Sequence, residues 1–324
     1  AASRQRARRT EPESITAYPA PAHQPADTHP APLLPTIVAA APPGRPRRPV
    51  SAIVTTFNEA GHIADCLASL AWCDEILVVD SHSTDATREI ARSFPGVTVV
   101  ERPYYGAASQ KNWAIDRCRH DWVLILDADE RVTPELRGEI EAVLAFPPAA
   151  KAFTIRRRTF ALGRELRYSG WQHDRVVRLF RRGAARYPNR RVHADMQTLE
   201  PPVLLGAALE HHMVESLEEY ADRTRRYASW GAAQLWRDGR RRAGAWELAV
   251  RPAWRFFRTY VLQLGVLEGR RGLAMCAIPA WGTFLKYATL WSWRRGLAHG
   301  STPQLPPFDE DPSVWAWSDR CRTP

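Results

Sequence analysis

Three acids fall within four positions in the run D-W-V-L-I-L-D-A-D-E-R-V-T, residues 121–133: Asp127, Asp129 and Glu130. A carboxylate pair two residues apart offers hard oxygen ligands. At that low ligand count, with water and substrate phosphates completing the shell, the pair suits Mg²⁺ or Mn²⁺. Asp129 and Asp127 are therefore candidate metal ligands. A D-x-D triplet alone is weak, since most are solvated loop acids. This one follows an apolar run, Trp122–Leu126, and has a companion upstream, where the run E-I-L-V-V-D also ends in an acid, Asp80.

The elements that must position these acids follow from periodicity. Residues 50–57, 75–80, 97–101 and 122–126 are short apolar runs rich in β-formers. Helical patterns separate them over 59–72, 85–94 and 106–118. Ser83 or Thr84 is expected to cap the second helix, and Thr133-Pro134-Glu135 to open a fourth. The β-α-β-α-β-α-β order predicts an α/β fold, a Rossmann-like parallel sheet with helices on both faces. In such a sheet all strand C-termini lie on one edge, so Asp80 and Asp127 should face one crevice. Shorter strands over 152–159, 165–168, 176–181 and 202–213 should extend the sheet. The predicted organisation is a disordered Pro/Ala-rich leader (1–49), a catalytic domain (50–215), a basic helical extension (216–300) and a disordered tail (301–324).

The chain has 324 residues and a formal net charge of +10. The excess is local: residues 216–300 carry 15 Arg/Lys against 6 Asp/Glu, whereas residues 50–215 carry 21 against 22. The same stretch holds 7 of the 13 tryptophans. Its capping box, Ser216-Leu217-Glu218-Glu219, opens a long helix, and two more helical stretches follow near 245–266 and 272–294. Gly272–Leu285 is uncharged but too short to span a bilayer and contains Pro279. An interfacial helix with Trp and Arg at headgroup level is expected instead, on an anionic membrane surface. The five cysteines are odd in number and scattered, which excludes a disulfide framework and a zinc signature. The Arg-containing N-terminus lacks the apolar core of a secretory signal. No helix-turn-helix, RNP or zinc pattern accompanies the positive charge, so a nucleic-acid partner is not expected.

The runs A-I-V-T-T-F-N-E, D-E-I-L-V-V-D-S-H-S-T-D, Q-K-N-W-A and D-W-V-L-I-L-D-A-D-E-R-V-T, in that order, resemble the nucleotide-sugar half of family 2 inverting glycosyltransferases, which have the glycosyltransferase A type of sheet. The later W-Q-H-D-R-V-V-R-L-F-R-R and the basic tail with E-G-R-R-G-L are similar to lipopolysaccharide inner-core β-1,4-glucosyltransferases and their relatives. The resemblance implies a UDP-sugar donor, a lipid-linked saccharide acceptor and an address on the cytoplasmic, inner face of a bacterial cell membrane. It makes Asp129 the direct metal ligand and puts Asp127 on the ribose or on the metal through water. It gives Asp80 the uracil N3–H, and sets Thr55, Asn58 and Glu59 in the nucleoside pocket. Gln110, Lys111 and Asn112 would face the donor, and Arg178 the diphosphate. For the general base Asp174 leads, with Glu200, Asp195 and His193 as rivals and an ion pair to Arg175 or Arg178 as its plain alternative. Relatives often carry Gly where this chain has His82, which puts the shape of that turn in question. A polyprenyl-phosphate sugar synthase is the alternative within the class. A sugar-1-phosphate nucleotidyltransferase is disfavoured because T-T-F-N-E stands where those enzymes carry a Gly-rich loop.

Overall fold

The computed structural model describes residues 47–146, 149–188, 195–240, 242–297 and 309–315. His193, one rival base, lies outside them, as does the leader up to residue 46. Four strands, β1 (Val50–Thr56), β2 (Glu75–Asp80), β3 (Val97–Glu101) and β4 (Trp122–Asp127), are joined by α1 (Ile63–Ser69), α2 (Thr87–Ser93) and α3 (Ala107–Ile115). β1 pairs in parallel with both β2 and β4, in a register that sets Thr56 beside Asp80 and Thr55 beside Asp127. Alternate residues of the central strands feed two cores. Ala52, Val54, Leu124 and Leu126 pack with α1 and with α4 (Pro134–Ala145), whereas Ile53, Val123 and Ile125 pack with α3. Burial on both faces is why these strands read as continuous apolar runs.

A short strand not expected from the sequence, β5 (Glu130–Val132), leads into α4. Thr133 caps α4 by accepting from Leu136 N at 3.2 Å. The second half of the sheet is β6 (Ala152–Ala161), with β7 (Arg164–Glu165) on it, then β8 (Arg175–Arg181) and β11 (Val203–Val214). β9 (Ala185–Arg186) and β10 (Gln197–Thr198) form a separate ladder. The sheet order is β3-β2-β1-β4-β8-β6-β11-β5. β8 runs antiparallel to β4 and β6, and β11 is parallel to β6. The C-terminal ends of β1, β2, β4, β6 and β11 therefore share one edge.

The turn after β2 departs from expectation. Neither Ser83 nor Thr84 caps α2. Ser83 folds back on Asp80, and Asp85 accepts from Thr87 N at 3.0 Å. His82 adopts φ 62°, the left-handed conformation for which a glycine would be the easier residue.

Three helices close the crevice. α5 (Leu217–Arg237) is capped by Ser216, which accepts from Glu219 N. α6 (Arg251–Phe257) sits between π-helical turns at Trp246–Val250 and Arg258–Leu262. After a 3-10 turn at Gly265–Glu268 comes α7 (Gly269–Arg294), with Pro279 inside it. α5 and α7 meet at Gly282, where a Cβ would run into Thr224 Cγ2. No helix among the described residues is long and apolar enough to cross a membrane. Residues 309–315, inside the tail expected to be disordered, instead pack onto the α3 face. Asp309 binds Arg102 and Ser109, and the Val314 and Ser313 carbonyls accept from Arg186.

Candidate functional site

A cavity of about 680 Å³ opens at the shared strand edge, roofed by α5, α6 and α7. Thr55, Glu59, Lys111, Asp127 and Asp129 line it together, with Gln110 beside them. Asp127 is held tightly: Lys111 Nζ lies 2.6 Å from Oδ1, Thr55 Oγ1 donates to Oδ1 at 3.0 Å, and Arg178 donates to Oδ2 at 2.7 Å. Desolvation alone would push this carboxyl up. The Lys111 and Arg178 charges outweigh it and hold Asp127 well below the usual carboxylate range. Burial lowers the Lys111 ammonium, but the Asp127 charge more than compensates and raises it.

Asp129 differs. Its carboxylate is nearly buried, yet its neighbours stand off: His211 Nε2 at 3.5 Å and Arg223 at 3.6 Å from Oδ2. These distances are longer than good hydrogen bonds. Here too burial raises the carboxyl, and His211 leads the interactions that bring it below its ordinary value. His211 sits near the end of β11, with Nδ1 3.5 Å from Thr159 Oγ1 on β6, so Nε2 is the nitrogen turned to Asp129. A carboxylate oxygen and an outward imidazole nitrogen, spaced for an ion between them, fit a divalent cation better than the Asp127 oxygens, which are already engaged. Among the described residues no cluster of three or more His, Cys, Asp or Glu side chains forms. Substrate phosphate and water would have to complete the shell. The pair that fits is thus Asp129 and His211, where the sequence pointed to Asp129 and Asp127. His211 was legible only as a histidine near the end of a strand, and its value depended on β11 being parallel to β4.

Several expected donor contacts turn elsewhere. Asp80 is fully buried, and Ser83 satisfies both its oxygens, Oδ1 through the amide at 2.8 Å and Oδ2 through the hydroxyl at 2.5 Å. The Asn58 side chain accepts from Thr84 N at 2.7 Å and ties the first two loops together. Asn112 clamps the Tyr187 backbone through both ends of its amide. Arg178, 3% exposed, bridges Asp127 and Glu130 instead of reaching the cavity. Asp174 is an ion-pair partner, but of Arg157, whose Nε and Nη2 donate to its two oxygens at 2.9 and 3.0 Å. Arg157 lines the cavity and Asp174 does not, so Asp174 positions Arg157. The rival Glu200 pairs with Lys151, and neither it nor Asp195 lines the cavity.

Glu59 is the third acid on the wall. Desolvation, then the Asp129 charge, push its carboxyl up to about 8 from 4.5. In metal-free protein the folded state therefore keeps a proton that the unfolded chain gives up, and stability falls as pH rises from about 4.5 through 8. Glu59→Gln should raise Tm relative to the parent at pH 8.5 and leave it nearly unchanged at pH 4.5. A Tm difference that does not vary with pH would refute this.

Residues 51–197 match the family described as Glycosyl transferase family 2. Over 242 residues the chain is 29% identical to the "Lipopolysaccharide core biosynthesis glycosyltransferase LpsC" of Rhizobium meliloti (strain 1021), covering 72% of this chain and 85% of that protein. It is 28% identical to an "Uncharacterized glycosyltransferase" of Rickettsia felis, over 74% of this chain and 89% of that one. Among solved structures, S. aureus TarS 1–349 in complex with UDP-GlcNAc aligns at TM-score 0.44 and 18% identity, over 81% of this chain and 97% of that one. Glucosyl-3-phosphoglycerate synthase from Mycobacterium tuberculosis, solved with Mn²⁺ and UDP, aligns at TM-score 0.29 and 23% identity, over 36% and 45%.

Proposed function

We propose that this chain, whose residues 51–197 match Glycosyl transferase family 2, is such a glycosyltransferase and moves a hexose, glucose in the first instance, from a UDP-sugar to a hydroxyl of a lipid-linked saccharide with inversion at the anomeric carbon. The product belongs to lipopolysaccharide core or another cell-envelope glycan, a reading supported by the likeness to LpsC. The observation that carries it is the strand edge itself, which sets Asp127 and Asp129 on one cavity with a cation at each, Lys111 and Arg223.

Transfer leaves a nucleoside diphosphate whose charge grows as the glycosidic bond breaks. Mg²⁺ or Mn²⁺ held by Asp129 and His211 would supply a Lewis acid for that charge. Lys111 fixes Asp127 in its ionised form, and Arg178 and Thr55 fix its orientation. Arg223, anchored by donating to the Met213 carbonyl at 2.6 Å, adds positive charge from the helical roof. Arg157, held by Asp174, reaches the cavity from β6 and is placed to orient sugar hydroxyls.

The helical roof supports a membrane address. Among the described residues, most of the large hydrophobic side chains that lie exposed are in 246–297. Trp246, Val250, Trp254, Phe257 and Val261 are all exposed, at three- and four-residue steps along the helical run 246–262. An apolar stripe among arginines fits the interface of an anionic leaflet, here the cytoplasmic one.

The test is a UDP-sugar panel with Mg²⁺ and Mn²⁺, hydroxyl or polyprenyl-phosphate acceptors, and vesicles with and without anionic lipid. Metal-dependent transfer to a hydroxyl acceptor, inverted product and sedimentation with anionic vesicles are expected. No turnover on any donor would sink the enzymatic reading, transfer only to polyprenyl phosphate its acceptor, and indifference to vesicles its location.

A further inference from the structure

The cavity has a second end. Beyond Arg223 its wall is built from Tyr220 on α5, Arg255 on α6, and Thr283 and Lys286 on α7. Arg255 donates to Thr283 Oγ1 at 3.3 Å, which ties α6 to α7 at this point. The Lys286 stem crosses over Gly231 of α5, where a Cβ would come within 3.0 Å of its Cδ, so the close helix approach admits this lysine.

The charge here is unbalanced. Of the arginines in the extension, Arg223 stands beside Asp129, Arg225 beside Asp222, and Arg271 pairs with Glu268 at 2.5 Å. Neither Arg255 nor Lys286 has a carboxylate within ion-pair distance among the described residues. A third cation, Arg251, stands close behind them and donates to the Tyr287 hydroxyl at 2.9 Å. Arg255 is exposed at the mouth and Lys286 is half-buried. Even so, both lie below their ordinary pKa: desolvation leads in each, followed for Lys286 by repulsion from Arg255 and Arg251, and for Arg255 by an opposing pull from Tyr220 and then repulsion from Arg258. Cations gathered on a cavity wall with no acid in reach repel one another, and an anion placed among them would relieve that repulsion.

We propose that Arg255 and Lys286, with the Thr283 hydroxyl, form an anion subsite that holds a phosphate group of the acceptor at the end of the cavity away from Asp129. The word acceptor rests on the function proposed above; the anion site rests on the cluster alone. Arg223 and Tyr220 lie between this cluster and Asp129, so the bound phosphate is a handle and not the reacting group. The exposed apolar faces of the same two helices would leave a lipid-linked acceptor with its chain toward the bilayer and its phosphate over Arg255 and Lys286.

The experiment is a calorimetric titration of the full chain with inorganic phosphate, with UDP and Mn²⁺ present in excess to fill the donor end. The parent should bind phosphate. Arg255→Gln and Lys286→Gln should each weaken it about tenfold, as expected for one charge-assisted contact. Arg255→Lys and Lys286→Arg should restore most of the affinity. UDP affinity should stay within about twofold in all four variants, since the cluster lies outside the donor end. Unchanged phosphate affinity in the glutamine variants would overturn the subsite, as would a parallel loss of UDP affinity, which would assign these cations to the donor. Competition by glucose 6-phosphate places the phosphate on a sugar. Competition by phosphatidylcholine vesicles containing phosphatidic acid, but not by phosphatidylcholine alone, places it on a lipid. Competition by neither overturns the proposal. If the parent fails to bind UDP, glycosyl transfer is refuted and the phosphate titration still judges the subsite.

Discussion

Asp129→Ala should lower sugar transfer by about a thousandfold, the scale expected when the principal stabiliser of a developing anion is lost. The loss should fall on kcat, because the stabilised charge is greatest in the transition state. The variant should fold. The Asp129 carboxylate makes no close hydrogen bond, its backbone carbonyl still accepts from His212 N at 2.8 Å, and Arg223 keeps the Met213 carbonyl. His211→Ala should act in the same direction but more weakly, by about a hundredfold, since the aspartate keeps its charge. Titration with Mn²⁺ separates the possibilities. Both variants should need far more metal to reach their residual rates, and Asp129→Ala should show no saturable metal binding. Activity within tenfold of the parent at ordinary Mn²⁺ would remove Asp129 from the metal's shell and leave His211 without a role.

The four parallel strands were legible in chain order because β1, β2 and β4 are buried on both faces, while β3, only partly buried, still shows as a valine-rich run, and turn residues bound them all. The same holds for α4 and α5, whose caps are local in sequence: Thr133 reaches Leu136 and Ser216 reaches Glu219. What failed to show was polar partnership across distance. Asn112 looked like a donor contact, but its partner is Tyr187, 75 positions on. Asp174 looked like a base flanked by arginines, yet it takes Arg157, one strand away, over its neighbour Arg175. From its position Glu130 reads as a helix-entry acid or an ion-pair partner near Arg131; it does pair, but with the distant Arg178 and Arg157. It is fully buried, because β5 is a strand only by virtue of pairing with β11, which sets it opposite His211. A three-residue strand has no periodicity to detect, and its partner lies some eighty residues away. His211 was hidden for the same reason. The apolar outer faces of α6 and α7 were foreshadowed by tryptophan and arginine content, but the convergence of Arg255 and Lys286 on one wall needed the packing of α6 against α7.

Arg178→Met should cost about 3 kcal/mol, the low end for breaking a buried ion pair, and lower Tm by roughly 6–12 °C. Arg178 is the hinge of a chain of charges, Lys111–Asp127–Arg178–Glu130–Arg157, running along the floor of the site. Its Nη2 alone meets Asp127 at 2.7 Å and Glu130 at 2.5 Å. Methionine fills similar space without donors. Asp127 then depends on Lys111 and Thr55, and Glu130 on Arg157 and the Asp127 amide. Each acid retains one cation, which keeps the cost at the low end. Lysine at 178 should recover only part of it, because a point charge does not reproduce the planar fork. Arg178→Met combined with Glu130→Gln should lose less than the sum of the two single losses, since the second change removes a carboxylate the first leaves underpaired. The pH dependence fixes the sign. Asp127 titrates well below 3.8 when folded, so its ionised form contributes stability that is complete above 3.8 and lost as pH falls through the lower folded value. The deficit of Arg178→Met should therefore be full at pH 7 and shrink in acid below about 3.8. An equal deficit at both pH values would mean that arginine packing, and not its charge, holds the floor together. A Tm within a degree of the parent at pH 7 would mean that Lys111 and Arg157 suffice to hold Asp127 in place.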